Sequence, residues 1–130
     1  MSGVIIDTCI WFLALRGTNL RDEKIAEELA TLVNYNRAKI IGLIRQELLS
    51  GYSDFSRYER LRNKLKYFPN EQIIDLDYES AAEYSNSCRR KGIQGSHTDF
   101  LICAVANRLN FKIYTDDKDF IYYSNYLPIF

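Results

Sequence analysis

Several features that mark common protein classes are scarce in this sequence of 130 residues. No apolar run approaches the roughly 18 to 20 residues that a membrane-spanning helix needs, so we expect no membrane association. The chain has one histidine and three cysteines, and no CxxC pair, so neither a zinc site nor a disulfide framework is expected. Seventeen basic residues balance 17 acidic ones, and bulk charge therefore neither indicates nor excludes a nucleic-acid partner.

The N-terminal segment lacks the basic start, apolar stretch and small-residue cleavage site of a secretory signal. We therefore expect a cytoplasmic protein. The hydrophobic fraction of 47% is typical of a globular protein, and the length suits one domain that spans residues 1–130.

Short apolar runs alternate with helical patterns along the chain. Apolar runs predict strands over residues 4–6, 38–41, 72–76, 111–115 and 127–130. Helical spacing and end signals predict helices over residues 8–16, 20–36, 42–51, 58–68, 77–91, 96–109 and 117–124. This alternation predicts an α/β fold with a central short parallel sheet and helices on both faces.

Acidic residues follow or flank several of these predicted elements. Asp7 comes directly after the first strand, and Asp117 and Asp119 follow the strand 111–115. Sites in parallel sheets form outside the carboxyl ends of the strands, so these acids share one edge if the two strands are neighbours. Glu47 flanks the apolar face of the third helix, and Asp99 lies in the first turn of the helix 96–109.

Acids that converge need a compensating partner, because like charges within a few ångströms repel each other. A divalent cation such as Mg²⁺ or Mn²⁺ prefers oxygen ligands, and such an ion can activate water and stabilise a phosphoryl transition state. Each acid also has a local alternative: Asp7 and Asp99 can cap helices, and Glu47 can be an ordinary helix-edge residue. Thr8 and Thr115 border acids and can orient them or bond the local backbone.

Other polar and aromatic residues allow two interpretations each. His97 can be a general base or a surface residue at a helix start. The basic residues within 57–66 and 89–91 can contact a nucleic-acid backbone or form solvated helix faces. Near the C-terminus, a group of tyrosines can stack on bases or belong to the core or a dimer surface: Tyr122, Tyr123 and Tyr126.

Four segments together resemble the PIN-domain ribonucleases, and within them the VapC-type toxins of type II toxin–antitoxin pairs. The segments are Ile5-Ile6-Asp7-Thr8, the stretch 46–51 (QELLSG), the stretch 99–106 (DFLICAVA) and the stretch 113–120 (IYTDDKDF). Each is short, but their order and spacing cover nearly the whole chain.

The resemblance implies an α/β/α sandwich, endonucleolytic cleavage of RNA, a homodimer and a cognate antitoxin. It also implies a Mg²⁺ or Mn²⁺ site formed by Asp7, Glu47, Asp99 and Asp117, with Asp119 as a further ligand and Thr8 and Thr115 in support. Asp116 is an extra acid beside Asp117, which leaves the fourth acid open among residues 116, 117 and 119.

Cys9 is a departure, since many family members have Asn or Ser after the Asp-Thr pair. It also weighs against a phosphoaspartyl enzyme with Asp7 as nucleophile, which needs an aspartate at position 9. A non-catalytic PIN-like dimerisation or interaction module is the remaining alternative to a metal-dependent endoribonuclease.

Overall fold

The computed structural model describes residues 3–129, and its centre is a sheet of parallel strands. The order across this four-stranded sheet is β3-β2-β1-β4. Its strands are β1 (Val4–Ile6), β2 (Ala38–Ile41), β3 (Asn70–Glu71) and β4 (Lys112–Tyr114). The apolar β-branched residues of β1 and β2 are almost fully buried, as expected for a parallel sheet covered on both faces.

Helices connect the strands and cover the sheet, which gives the predicted α/β sandwich. They are α1 (Thr8–Arg16), α2 (Leu20–Asn34), α3 (Gly42–Ser50), α4 (Phe55–Leu65), α5 (Asp75–Arg90), α6 (His97–Leu109) and α7 (Asp119–Ser124). Helix α1 packs against α2 and α3, and α5 packs along α6. Among the described residues, no helix is long and apolar enough to cross a membrane.

The register between β1 and β4 places the two acidic segments side by side. Ile6 lies opposite Tyr114 in this parallel pair. The backbone amide of Asp7 then donates a hydrogen bond of 2.9 Å to the Tyr114 carbonyl. The two strands are therefore neighbours, and Asp7 and Thr115 leave the sheet at the same edge.

Helix α6 is the most deeply buried helix and fixes the position of Asp99. Every residue from position 100 to position 106 is buried, because sheet and α5 enclose this part of the helix. Ser96 is the N-cap, and its hydroxyl accepts from the Asp99 amide at 3.0 Å. An Ser side chain at this position satisfies an otherwise unpaired amide of the first turn.

The predicted strand over residues 72–76 is wrong. The strand in this region is Asn70–Glu71, which pairs with Ile40 and Ile41 of β2. Helix α5 begins at Asp75 because the Asp77 carboxylate accepts from the Ile74 amide at 3.0 Å and caps the first turn. The apolar residues near position 74 therefore precede a helix.

The predicted closing strand over residues 127–130 is also wrong within its described part. Residues 127–128 form a bend, position 129 has no regular structure, and the Leu127 amide donates to the Tyr123 carbonyl at 2.8 Å. Leu127 is 7% exposed and packs in the core as part of a turn. Phe130 lies outside the described residues.

Candidate metal centre

Asp7 stands at the junction of β1 and α1 and is held by three donors. Its carboxylate accepts from the Thr8 amide at 2.8 Å, from Thr115 Oγ1 at 2.7 Å and from Cys9 Sγ at 3.6 Å. Only 7% of the residue is exposed. The capping interpretation is therefore confirmed for Asp7, and the positive end of α1 also favours a negative charge here. Capping of α1 does not exclude a second role for the Asp7 carboxylate as a metal ligand.

Thr8 connects Asp7 with Glu47. The Thr8 hydroxyl donates to Glu47 Oε1 at 2.9 Å, although the two residues are 39 positions apart in sequence. Glu47 is exposed on α3, which begins where β2 ends. The structure thus brings Glu47 to the same sheet edge as Asp7.

Asp99 projects from the first turn of α6 toward the same edge. Tyr123 of α7 donates a hydrogen bond of 2.9 Å to Asp99 Oδ2. Burial raises the pKa of Asp99 to about 6, and the charges of Asp7 and Asp117 act in the same direction. Hydrogen bonds from Tyr123 and Ser96 oppose this rise. A carboxylate with a raised pKa beside other acids is typical of a functional site.

Asp99, Asp117 and Asp119 form a close trio. One carboxylate oxygen from each lies within 4.8 Å of the others. The turn after β4 holds two of these acids, because the Asp119 amide donates to Asp117 Oδ1 at 2.9 Å. The Asp117 amide in turn donates to Thr115 Oγ1 at 3.0 Å. The Thr115 hydroxyl therefore links Asp7 to the trio.

Asp116 points elsewhere, although it is next to Asp117 in sequence. Its carboxylate forms an ion pair with Arg21 of α2 on the surface. The Asp116 carboxylate is therefore paired with the Arg21 side chain, whereas Asp117 and Asp119 face Asp99. The sequence leaves the fourth acid open among these three residues. In the structure Asp117 and Asp119 lie beside Asp99, and Asp116 does not.

The donor set of the trio fits a hard divalent cation. Each of the three residues offers a carboxylate oxygen, and two of the residues are exposed enough for a hydrated ion to enter. Mg²⁺ and Mn²⁺ prefer such ligands, and Mg²⁺ usually keeps several waters. Cys9 is close by, but burial raises the pKa of its thiol, so it remains a neutral donor toward Asp7.

Sequence reasoning missed two residues that shape the site. Tyr123 lies in the core, one of the positions that its sequence context allows, and its completely buried side chain also donates to Asp99, a role that the sequence does not indicate. Cys9 appeared as a departure, yet its thiol fills the supporting position and contacts both Asp7 and Thr115. No local pattern signals the Tyr123 contact, since residues 99 and 123 meet only in the folded chain. The contact between Cys9 and Thr115 likewise joins residues 106 positions apart.

The comparisons with known proteins agree with this architecture. The family profile of the PIN domain matches residues 4–125. The chain is similar to FitAcB from Neisseria gonorrhoeae, with a TM-score of 0.78 and 16% identity over 95% of this chain and 94% of that one. It is also similar to VapBC2 from Rickettsia felis, solved with a promoter DNA fragment, with a TM-score of 0.72 and 17% identity. That likeness covers 96% of this chain and 92% of that chain.

No curated protein sequence matches the chain significantly. The two similar structures share the fold at low identity. The family match spans residues 4–125 and includes β1, α6 and β4, the elements that carry the acids. The chain therefore belongs to the PIN domain family.

Proposed function

We propose that this chain, as a single nuclease domain over residues 1–130, is a Mg²⁺- or Mn²⁺-dependent endoribonuclease of the VapC toxin type. The observation that carries the proposal is the convergence of Asp99, Asp117 and Asp119 within 4.8 Å. Asp7 lies beside them through Thr115. Such a cluster is unfavourable without a cation, which is a reason for these acids to gather around one.

In this proposal Asp7, Asp99, Asp117 and Asp119 hold the metal, and Glu47 completes the site directly or through water. A bound divalent cation would supply Lewis-acid activation of water and neutralise charge that develops on the phosphate. The hydroxyls of Thr8 and Thr115 fix the orientation of Glu47 and Asp7. Carboxylates held in this way need little reorganisation when charge develops during the reaction.

The partners follow from the family and from the similar structures. The VapBC2 likeness supports a cognate antitoxin as the protein partner, and the PIN family supports RNA as the substrate. We further propose a homodimer in the cytoplasm. Exposed apolar side chains that suit such a contact include Ile121, Tyr122 and Tyr126.

Cleavage of a labelled RNA in Mg²⁺ or Mn²⁺ tests the nuclease proposal. We expect Asp7→Asn and Asp99→Asn to lower the rate by more than about 100-fold, since even the hydrogen-bond partners of metal ligands matter by about 10- to 100-fold. Asp116→Asn is the matched control, because it removes one acid from the same turn that pairs with Arg21 instead. We expect it to retain most of the activity.

Two results would contradict the proposal. Undiminished cleavage by Asp7→Asn or Asp99→Asn would show that the activity lies elsewhere. Absence of both cleavage and divalent-cation binding in the wild-type protein would instead favour the non-catalytic interaction module.

A further inference from the structure

A groove of about 990 Å³ runs between α1 and α4. Apolar side chains form its floor, and they come from both helices and from the segment after α3: Phe12, Leu13, Leu15, Tyr52 and Leu61. An apolar lining alone does not identify what binds in the groove. The charged residues of the lining indicate the chemical class of the ligand.

The α4 wall carries three cations, Arg57, Arg60 and Lys64. All three are exposed, and none forms an ion pair with any residue in the described part of the chain. They project from one helix face and span about 10 Å along the axis. The other charged lining residues are neutralised, since Arg16 pairs with Asp22 and Asp116 pairs with Arg21. The groove therefore has excess positive charge and suits a polyanion.

Two aromatic rings line the same groove as these cations. The ring centroids of Phe12 and Tyr52 are 6.2 Å apart, with an interplanar angle of 38°. A β-carbon at position 51 would come within 2.9 Å of the Phe12 ring, so Gly51 permits this close packing. Both rings line the groove and are only half-buried. Nucleobases stack on such faces with little sequence preference.

One end of the groove adjoins the acidic centre. Cys9 lines the groove and its thiol lies 3.6 Å from Asp7 Oδ2. Asp116, another lining residue, is next in sequence to Asp117. A strand whose phosphate lies at the acids can therefore continue directly into the groove.

We propose that this groove binds the single-stranded RNA that flanks the scissile phosphate. Phosphates lie against Arg57, Arg60 and Lys64, and a base lies on the Phe12–Tyr52 pair. This subsite rests on the proposed nuclease function, because RNA is the polyanion that the acids would cleave. Single strands fit better than a duplex, whose stacked bases are closed to the aromatic rings.

RNA binding without cleavage tests the subsite. We would measure fluorescence anisotropy of a labelled, unstructured oligouridine of about 12 nucleotides, a length within the usual site size, in EDTA. The groove variant is Arg60→Gln with Lys64→Gln. The matched control is Arg62→Gln with Lys66→Gln, which removes the same number of cations from α4 and its C-cap outside the groove, although Arg62 also lies 3.7 Å from Glu59.

We expect the groove pair to weaken binding by about tenfold or more at low salt and to reduce the slope of log affinity against log salt by about 1.4, the value for two lost phosphate contacts. The control pair should change both quantities little. Tyr52→Ala should weaken binding about fivefold or more, whereas Tyr52→Phe keeps the stacking face and the affinity.

Failure of the subsite and failure of the nuclease proposal give different results. RNA binding that depends on the groove residues, with no cleavage in any metal, would contradict the nuclease proposal and support the RNA subsite. Equal losses in both charge pairs, unchanged affinity in every variant, or no RNA binding by the wild type would overturn the subsite even if cleavage occurs. The groove would then serve a protein partner.

Discussion

The Tyr123 hydroxyl lies 2.9 Å from Asp99 Oδ2 and donates a hydrogen bond to it. The Tyr123 side chain is completely buried, and its ring packs against Phe100 and Phe120 with centroid distances of 5.2 Å and 5.1 Å. A β-carbon at position 95 would come within 2.6 Å of the Phe100 ring and even closer to the Tyr123 hydroxyl, so Gly95 leaves the space that this pair occupies. Core packing therefore holds Asp99 in place through Tyr123.

Tyr123→Phe should weaken divalent-cation binding while it preserves the core packing. The hydrogen bond from Tyr123 favours the ionised carboxylate, so its removal raises the pKa of Asp99 further. We expect Mn²⁺ affinity to fall about threefold to tenfold near pH 6 and to approach the wild-type value at high pH. Calorimetric titration at several pH values checks this. An equal loss at every pH would contradict a role through Asp99 ionisation.

The raised pKa of Asp99, about 6, predicts a pH limit for metal binding. A proton on Asp99 competes with the cation, so affinity should fall about tenfold per pH unit below pH 6 and level off above it. Mn²⁺ titrations between pH 5 and pH 8, values chosen around the pKa of about 6, measure this slope. Affinity independent of pH across that range would contradict the assignment of Asp99 as a ligand.

The raised pKa of Asp99 also determines how the stability of the metal-free protein depends on pH. The folded chain retains the Asp99 proton between the ordinary pKa of 3.8 and the folded value of about 6. Because the folded state binds more protons there, the free energy of unfolding should decrease as pH rises through this range. Partial exposure of Asp99 screens this effect. Asp99→Asn should therefore stabilise the metal-free protein above pH 6 by roughly 1 to 2 kcal/mol, less than the roughly 3 kcal/mol that the full difference between 3.8 and about 6 would give, with little effect near pH 4. Urea unfolding at both pH values tests the sign.

Cys9 should support Asp7 through its thiol proton. The Cys9 thiol donates to Asp7 at 3.6 Å and lies 3.7 Å from the Thr115 hydroxyl, distances that are ordinary for sulfur. A serine hydroxyl is also a donor, so Cys9→Ser should retain metal affinity. Cys9→Ala removes the donor, and we expect a loss of about threefold to tenfold. Calorimetry on the two variants compares them directly. Wild-type affinity in Cys9→Ala would show that the thiol only fills space.

Asp22, which lies away from the metal centre, should make the stability of the folded protein sensitive to acid. It is fully buried, and its hydrogen-bonded pair with Arg16 lowers its pKa to about 2. This stabilisation is complete above the ordinary pKa of 3.8 and is lost as pH falls through about 2. Asp22→Asn should lower the Tm at pH 7 by roughly 5 °C, with a smaller difference in acid. Glu23→Gln, an exposed neighbour, should change the Tm little at either pH.

Elements with strong local signals were predictable from the sequence. The strand Val4–Ile6, the helix Thr8–Arg16 and the strand Ala38–Ile41 agree with their predicted bounds, because an apolar β-branched run or a capped amphipathic pattern defines each of them. One topological rule about parallel strands predicts that the segments with Asp7 and Asp117 lie at the same sheet edge if their strands are neighbours. The pairing of β1 with β4 confirms that they are neighbours.

Elements that depend on distant contacts were not predictable. Strand β3 has two residues, Asn70 and Glu71, and exists because it pairs with β2. Asp77 caps α5 locally, but a distant ion pair with Arg108 at 2.8 Å, 31 positions away, holds its carboxylate. The Tyr123–Asp99 bond joins two helices 24 positions apart. Such features depend on tertiary packing, which single-sequence patterns do not encode.

A crystal of the protein soaked in Mn²⁺ and measured for anomalous scattering tests the central claim most directly. We expect an anomalous peak among the carboxylates of Asp99, Asp117 and Asp119, on the side that faces Asp7, at metal–oxygen distances of about 2.0 to 2.3 Å. Asp99→Asn crystals should lose that peak. Saturating Mn²⁺ with no peak at these carboxylates in the wild-type protein would contradict the metal centre.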